Sequence, residues 1–478
     1  MNDRRHQVLA STDSSAYASV RQRPVSRDER FALGRALRKD VPRRTLARWR
    51  APALRPDPVA LIKASHEGRV DELVPVRVAR MVGSPYGFLR GSAVVMAWDV
   101  ARLPATGITP VVCGDAHLGN FGFYGSPEGE LVMDLNDFDE AHPGAWEWDL
   151  RRLAASIHVA GRENGVGEEA CSAAVRNCVL SYRDEVRFLA EQPLLWRSYN
   201  RLDVDRLHET VTESTLRTEI DRAVKKARRK TSDRVLPRFT REDEDGRRIV
   251  SEPPLITPLG QEEYEQVEAS LDEYLLTLQP HWRRAVGGYT VVDIAHKVVG
   301  VGSVGLRAYV VLLEGSDPDD VLFLQLKQAR RSVLAPFVHG DSVWHDHQGQ
   351  RVVEYQQALQ TVSDPLLGWT TVGDLTCYVR QFRNQKGTVP LDGLDDAALR
   401  DYAGIVGHLL AKGHARTSGA SMIGGYLGKG ERVADSMATF ARRYADQTEA
   451  DHARFVAAVR SGELPIDEEA AASSAFRP

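Results

Sequence analysis

Strand-like runs concentrate in two regions of this sequence, with a plausible hairpin at Asp245–Gly246 between them, and this separation restricts the possible folds more strongly than any other pattern. Short apolar runs bounded by turn residues are typical of strands. The strand-like runs of this sequence are VVC (111–113), GELVMDL (129–135), YVVLL (309–313), VLFLQLK (321–327) and LTCYVRQF (375–382). Apolar residues at helical spacing lie elsewhere, as in residues 148–161 and 399–410. The sequence therefore predicts an α+β fold with two separate β-rich regions.

The composition is that of a globular protein without a marked preference for nucleic acid or membranes. Of 478 residues, 42% are apolar and 27% are charged, and the formal net charge is −4. No apolar run is long enough to cross a bilayer and the N-terminus lacks a signal peptide's apolar core, so we expect a cytoplasmic protein. The four cysteines are too scattered for a disulfide framework or a CxxC zinc site.

Two acidic segments follow the strand-like runs of the first region. VVCGDAHLGN (111–120) places Asn120 five residues after Asp115, and NDFDEA (136–141) contains Asp137. Phosphoryl transfer needs a carboxylate that orients and deprotonates the attacking hydroxyl, and it needs hard oxygen ligands for Mg²⁺. We therefore predict Asp115 as the catalytic base and Asn120 and Asp137 as metal ligands. The alternative for each segment alone is an ordinary turn or helix cap.

This spacing resembles the motif HGDxHxxN…DFxxA of the aminoglycoside-phosphotransferase-like branch of the protein-kinase superfamily. Cys113 stands where that branch usually has histidine. The next segment, WEWDLRRLA, resembles the DLA segment that opens a helix in the same branch, which implies that Asp149 braces the catalytic loop. We expect His117 and Asp139 to lie beside these groups. The sequence leaves open whether His117 contacts phosphate or only packs.

A glycine-rich segment in the second β-rich region adds a candidate nucleotide site. Gly300, Gly302 and Gly305 form GxGxxG, and the strand-like run after them favours a strand–loop–strand hairpin over a dinucleotide-binding turn. This resembles the kinase loop that covers the ATP phosphates. Lys327 is expected to bind the α- and β-phosphates, with Glu354 as its ion-pair partner. The alternative is an exposed lysine and a surface glutamate.

The order of the two constellations is the reverse of that in kinases, where the glycine loop and lysine come first. A circular permutation accounts for this order, because the termini of a domain often lie close together. We therefore predict a protein-kinase-like two-lobed fold that is circularly permuted. Its segments are a flexible tail (1–28), a helical segment (29–110), a large-lobe catalytic region (111–286), a small nucleotide-binding lobe (287–390) and C-terminal helices that return to the large lobe (391–478).

The sequence also resembles a bacterial family known as domain of unknown function 2252. The resemblance extends over roughly residues 31–450, and Gln328 and Asn384 depart from the Glu and Asp that the family commonly has. The resemblance implies that the chain is related to this family, but it implies no particular reaction. The matching stretches include LVPVRVARMVGSPYGFLRG, CGDAHLGNFG, DLNDFDEA, WEWDLRRLAAS, KVVGVGSVGLRA and LFLQLKQA.

Together these patterns predict an ATP- and Mg²⁺-dependent phosphotransferase that acts on an unidentified small molecule or protein. Two alternatives use the same site: a nucleotide-binding, pseudokinase-like scaffold or sensor, and an enzyme that transfers AMP. Nucleic-acid binding through the arginine-rich residues 36–50 and the run KKARRK is disfavoured by the balanced charge. Several arginines could favour an anionic acceptor: Arg80, Arg90, Arg151, Arg152, Arg330 and Arg331.

Overall fold

The strands and helices of the protein form a mixed α+β structure, as the sequence predicts. Within the described residues, the strands build one six-stranded antiparallel sheet and three two-stranded pairs. The computed structural model describes residues 25–231, 236–237, 239–244, 246–298, 304–339, 345–382, 384–417 and 419–472.

Five α-helices form the first part of the described chain. The first begins at Arg27, inside the segment that the sequence assigned to a flexible tail, because Ser26 and Glu29 cap each other reciprocally at its start. The second and fourth begin with proline, whose fixed φ suits the first helical turn. The helices are α1 (Arg27–Ala36), α2 (Pro58–Ala64), α3 (Val74–Val82), α4 (Pro85–Gly91) and α5 (Ala93–Val100).

Two short strand pairs frame the acidic segments. β1 (Val111–Val112) pairs with β4 (His142–Pro143), and β2 (Phe121–Gly125) pairs with β3 (Leu131–Leu135), both antiparallel. Because β1 lies beside β4, the loop that leaves β1 and the loop that enters β4 are neighbours. The two acidic segments of the sequence occupy these two loops.

Helices and a hairpin separate the acidic loops from the large sheet. The sixth helix begins directly after β4 and is buried along almost its whole length. The hairpin consists of β5 (Thr240–Asp243) and β6 (Gly246–Ile249). The helices are α6 (Trp146–Glu163), α7 (Glu168–Glu191), α8 (Leu194–Arg197), α9 (Val204–Thr210) and α10 (Ser214–Ala227).

The large sheet has the strand order β11–β12–β10–β9–β8–β7. Its strands are β7 (Ile256–Pro258), β8 (Thr290–Lys297), β9 (Ala308–Glu314), β10 (Val321–Gln328), β11 (Gly368–Val372) and β12 (Leu375–Gln381). Apolar residues of the helix Gln261–Thr277 pack on one face of this sheet. Apolar residues of β6 and its flanking segment pack on the other face. The associated helices are α11 (Gln261–Thr277), α12 (Pro280–Val286), α13 (Ala335–His339) and α14 (Gln348–Leu359).

The C-terminal helices return to the helices of the first half. They are α15 (Asp396–Arg416), α16 (Ala420–Leu427), α17 (Glu431–Arg460) and α18 (Glu468–Ala472). α15 and α17 pack along α7, and α17 also packs on α6. One hydrophobic core therefore joins chain segments on both sides of the large sheet in sequence. None of the described helices has the length and hydropathy that a bilayer-crossing helix requires.

Candidate active site

The loop after β1 is held in place by a carboxylate of α6. Asp149, which is 1% exposed, accepts hydrogen bonds from the backbone N–H of Cys113 (2.6 Å) and of Gly114 (2.9 Å). Nε2 of His414 in α15 lies 3.2 Å from the same carboxylate. Gly114 has a φ of +79°, and a Cβ there would lie 2.2 Å from the Glu140 carbonyl oxygen. A glycine is therefore needed where the two acidic loops touch.

Asp115 lies at the end of this braced loop and is paired with an arginine of α6. Its Oδ1 accepts a hydrogen bond from Nε of Arg152 at 2.8 Å, and Arg152 also donates to the Leu89 carbonyl oxygen at 2.7 Å. Burial raises the pKa of Asp115 to about 6, although the charge of Arg152 acts in the opposite direction. The carboxylate is therefore mostly ionised at neutral pH, which is the state that a general base requires.

Asn120 ties the two acidic loops together. Its Nδ2 donates to the carbonyl oxygens of Asp115 (3.2 Å) and Asp137 (3.1 Å), and it lies 3.4 Å from Sγ of Cys113. Because these described bonds all use the nitrogen, they leave the amide oxygen as the atom that could accept from a ligand. Asp137 and Asp115 line one cleft of the protein. Oδ1 of Asp137 accepts a bond from the backbone N–H of Asp139 (3.3 Å).

Lys327 reaches the acidic loops from the central strand β10. Its Nζ lies 3.0 Å from Oδ2 of Asp139, and the Tyr378 hydroxyl donates to Oδ1 of the same carboxylate at 2.8 Å. Burial lowers the pKa of Lys327, but the negative charge of Asp139, with a smaller contribution from Asp137, outweighs it and raises the pKa above its usual value. The lysine therefore stays charged although its side chain is only 4% exposed.

The predicted ion pair between Lys327 and Glu354 is wrong. Glu354 on α14 instead lies 3.1 Å from Nε2 of His345 and accepts a bond from Gln350 at 2.8 Å. The charged residue that α14 directs at the acidic loops is Arg351, which donates to the carbonyl oxygens of Ala141 (2.5 Å) and Asp139 (2.7 Å). Asp139 on the loop takes the place of the helix glutamate, because it lies directly opposite the buried end of Lys327.

The glycine-rich segment joins two neighbouring antiparallel strands, β8 and β9. Gly300 and Gly302 lie outside the described residues. Gly305 has a φ of +85°, and its carbonyl oxygen accepts a bond from the Val70 backbone N–H at 2.8 Å. The chain enters β9 at Ala308, so the predicted strand–loop–strand arrangement is confirmed and no helix begins at Gly305.

His117 lies between Asp115 and the ring of Tyr86. Its Nε2 is 4.0 Å from Oδ2 of Asp115, and its ring centroid is 6.3 Å from that of Tyr86. Burial lowers the pKa of His117 well below its usual value, with help from Arg90 and Arg152, so the ring is neutral. Nδ1 is buried without a hydrogen-bond partner among the described residues. The ring therefore packs beside the base and keeps one polar atom unused.

The two acidic loops line a cleft of about 280 Å³. Asp115, Asp137, Asp139 and Glu140 form its acidic side. Burial raises the pKa of Glu140 to about 7, although its carboxylate accepts a bond from the Val333 backbone N–H at 2.7 Å. Among the described residues, the arginines that line the cleft are Arg69, Arg77, Arg90, Arg330 and Arg331.

Two of these arginines, Arg69 and Arg77, are absent from the set predicted from the sequence. Arg77 occupies a position on the apolar face of α3, which also carries the buried Val74, Val78 and Met81. A lone arginine at such a position is the signal that could have identified it, because a buried charge needs a specific reason. By contrast, three arginines of the predicted set lie outside the residues that line this cleft: Arg80, Arg151 and Arg152.

The fold and the cleft define a mixed α+β protein with a charged site between a helical core and an antiparallel sheet. Residues 69–458 match the family described as uncharacterized protein conserved in bacteria, DUF2252, and the chain belongs to this family. The match includes both acidic loops and Lys327. No curated protein and no solved structure matches the chain. The resemblance to the family is therefore confirmed, and the resemblance to kinases stays a prediction.

Proposed function

We propose that this protein is an ATP-dependent phosphotransferase with a circularly permuted, kinase-like fold. The observation that carries the proposal is that Asp115, Asp137 and Asp139 line one cleft, with Asn120 bonded to the backbone of the first two. Lys327, which lies far from them in the sequence, pairs with Asp139 at this place. Asp115 is suited to act as base, Asn120 and Asp137 to bind metal, and Lys327 to neutralise phosphate charge.

The order of elements in the large sheet supports the kinase-like part of the proposal. β8 and β9 flank the glycine-rich segment, and Lys327 lies on the next strand, β10. α14 follows before β11 and β12, and α15 then leads back to the helical core. Kinases likewise have a glycine-rich loop, a lysine on the third strand and a helix after it. The acidic loops come earlier in this chain, which is the arrangement that a circular permutation produces.

The oxygen atoms of the acidic loops fit Mg²⁺ bound together with a nucleotide. Among the described residues, no three His, Cys, Asp or Glu side chains form a group that could hold a metal ion alone. Mg²⁺ usually takes one or two carboxylates and completes its ligands with water and substrate phosphates. The Asp137 carboxylate and the Asn120 amide oxygen are such a partial set. Mg²⁺ would supply charge neutralisation for the phosphates at this place.

The proposed reaction needs one proton acceptor, and Asp115 provides it. The acceptor's hydroxyl oxygen forms a bond to the γ-phosphorus of ATP while the bond from that phosphorus to the β,γ-bridging oxygen breaks. The hydroxyl proton goes to the Asp115 carboxylate, and ADP leaves with the electron pair of the broken bond. Arg152 and the Asp149-braced loop hold Asp115 in position throughout.

A nucleotide-binding protein without turnover is the second candidate. Cys113, which stands where the kinase-like branch usually has histidine, is compatible with it. Transfer of AMP is a third use of the same groups. The three candidates differ in the phosphorus atom of ATP that the acceptor attacks. Phosphoryl transfer uses the γ-phosphorus, AMP transfer uses the α-phosphorus, and a scaffold uses neither.

Isotope transfer from ATP distinguishes the three candidates. The protein is incubated with Mg²⁺, a mixture of hydroxyl-bearing metabolites, and ATP labelled at either the α- or the γ-phosphorus. The proposal predicts acceptor labelled from γ-labelled ATP only, and a loss of about 10²–10⁴-fold in Asp115→Asn. Asp205→Asn, at an exposed position of α9, is the matched control. Label from the α-position would establish AMP transfer, and binding without any label would favour the scaffold.

A further inference from the structure

Four arginines on one side of the cleft form a cluster that the proposed roles of the acidic loops do not use. We call Arg69, Arg77, Arg90 and Arg330 the arginine cluster. Two of them belong to α3 and α4, one precedes α3, and one follows β10. The cluster therefore gathers positive charge from separate parts of the chain around one cavity.

Among the described residues, Arg77, Arg90 and Arg330 of this cluster have no ion-pair partner of their own. Arg77 is 2% exposed, and its guanidinium contacts only neutral atoms among the described residues: Nε2 of His66 (2.7 Å) and the Gly91 carbonyl oxygen (2.6 Å). Arg330 donates to the Ser65 carbonyl oxygen at 3.1 Å. No carboxylate forms an ion pair with any of the three in the described part of the chain. Buried charge without a counter-charge is costly.

Unused donors accompany these charges. Nε of Arg77 and Nε of Arg90 are both buried without a hydrogen-bond partner among the described residues. Burial lowers the pKa of Arg77, and the nearby charges of Arg69 and Arg330 lower it further. Several guanidinium groups thus repel each other around a cavity, which is the arrangement that an oxyanion would stabilise through charge-assisted hydrogen bonds.

Arg77 and Arg90 of the cluster lie on the side of the cleft where the acceptor hydroxyl would be. The charge of Arg90 acts on Asp115, the proposed base. Lys327 and the glycine-rich segment belong to the large sheet, on the side proposed for the nucleotide. Arg69, which donates to the Val304 carbonyl oxygen, and Arg330, which follows β10, lie next to that side. An anionic group held by Arg77 and Arg90 would therefore leave the rest of a small molecule directed at Asp115.

We propose that the arginine cluster binds the oxyanion of a small hydroxyl-bearing acceptor, a phosphate or a carboxylate, and so positions its hydroxyl at Asp115. The role as acceptor site rests on the proposed phosphotransferase function, whereas the oxyanion site itself does not. The cavity of about 280 Å³ is close to the lower end of the volumes usual for small-molecule sites, which suits a small acceptor.

Binding of small oxyanions without nucleotide tests the site directly. The probes are inorganic phosphate, glycerol 3-phosphate and glycerate, with glycerol as the neutral control, measured by calorimetric titration. We expect at least one anionic probe to bind and glycerol not to bind. The double variant Arg90→Gln/Arg330→Gln should weaken that binding at least tenfold, and Arg90→Lys should weaken it less because the charge remains.

The control variant is Arg102→Gln, whose guanidinium stacks on Trp98 outside the cleft (3.6 Å from the ring centroid) and should leave binding unchanged. Circular dichroism and the melting temperature establish that each variant folds. Equal binding of glycerol and the anions, no anion binding at all, or anion binding that the double variant retains would each overturn the proposal.

A nucleotide titration separates this proposal from the proposed function. We expect the double variant to bind Mg²⁺ and a non-hydrolysable ATP analogue within about twofold of the wild type. If it loses nucleotide instead, the arginines belong to the nucleotide site and the acceptor role is wrong, while the phosphotransferase proposal stands. If the wild type binds anions through the cluster but never binds nucleotide, the oxyanion site stands and the phosphotransferase proposal fails.

Discussion

The two sides of the cleft differ in how their charges are balanced. On the acidic side, Asp115 pairs with Arg152, Asp139 pairs with Lys327, and Asp149 binds two backbone amides. On the other side, the arginine cluster contacts mainly carbonyl oxygens and a histidine. The acidic side is thus positioned by the protein itself, whereas the arginine side is built for a charge that a ligand brings. Substitutions on the acidic side should cost stability, and those on the arginine side should cost binding.

The largest effect on stability is expected for Asp149→Ala. The substitution leaves the backbone amides of Cys113 and Gly114 buried without their acceptor. An unsatisfied buried donor costs about 1–3 kcal/mol, so the free energy of unfolding should fall by about 3 kcal/mol or more. Urea denaturation measures this fall, and Asp205→Ala at an exposed position should change stability by less than about 0.5 kcal/mol. A similar small change in Asp149→Ala would show that the loop does not depend on this carboxylate.

A double-mutant cycle tests the ion pair between Lys327 and Asp139, which forms in place of the expected pair with Glu354. Lys327→Met and Asp139→Asn should each destabilise the protein, and their coupling energy should be about 1–3 kcal/mol because the pair is largely buried. The same cycle with Glu354→Gln should give a coupling near zero, since Glu354 contacts His345 and Gln350 instead. Strong coupling between Lys327 and Glu354 would restore the original expectation and contradict the observed geometry.

The smallest effect is expected at the base of the glycine-rich segment. Gly305 has a φ of +85°, and a Cβ there would lie 3.1 Å from Cβ of Arg69. Gly129 has a φ of +81°, and a Cβ there would have nothing within 4 Å, so it is a matched control for backbone strain alone. Each Gly→Ala change should cost about 1 kcal/mol in unfolding free energy.

Only Gly305→Ala should also weaken oxyanion binding, because it displaces Arg69 of the arginine cluster. Titration of inorganic phosphate into the two variants makes this comparison. Equal phosphate affinity in both variants would mean that Arg69 is not part of the oxyanion site.

Local sequence patterns predicted the acidic side far better than the arginine side. Asp115, Asn120 and Asp137 lie in short loops next to strands, so their spacing in sequence already limits their spacing in the structure. The partner of Lys327 was mispredicted because it depends on how β10 meets a loop far away in sequence. Arg77 was missed because its position on the apolar face of α3 indicates a specific role but does not show which distant segments complete the cavity that it lines.

The affinity for a non-hydrolysable ATP analogue, measured with Mg²⁺ and with EDTA, tests the central claim most directly. We predict Mg²⁺-dependent binding to the wild type, near-normal binding to Asp115→Asn, and binding at least tenfold weaker to Asp137→Asn, because that variant loses a proposed metal ligand. Binding that ignores Mg²⁺, or that is lost in Asp115→Asn and kept in Asp137→Asn, would contradict the proposed roles of the two aspartates.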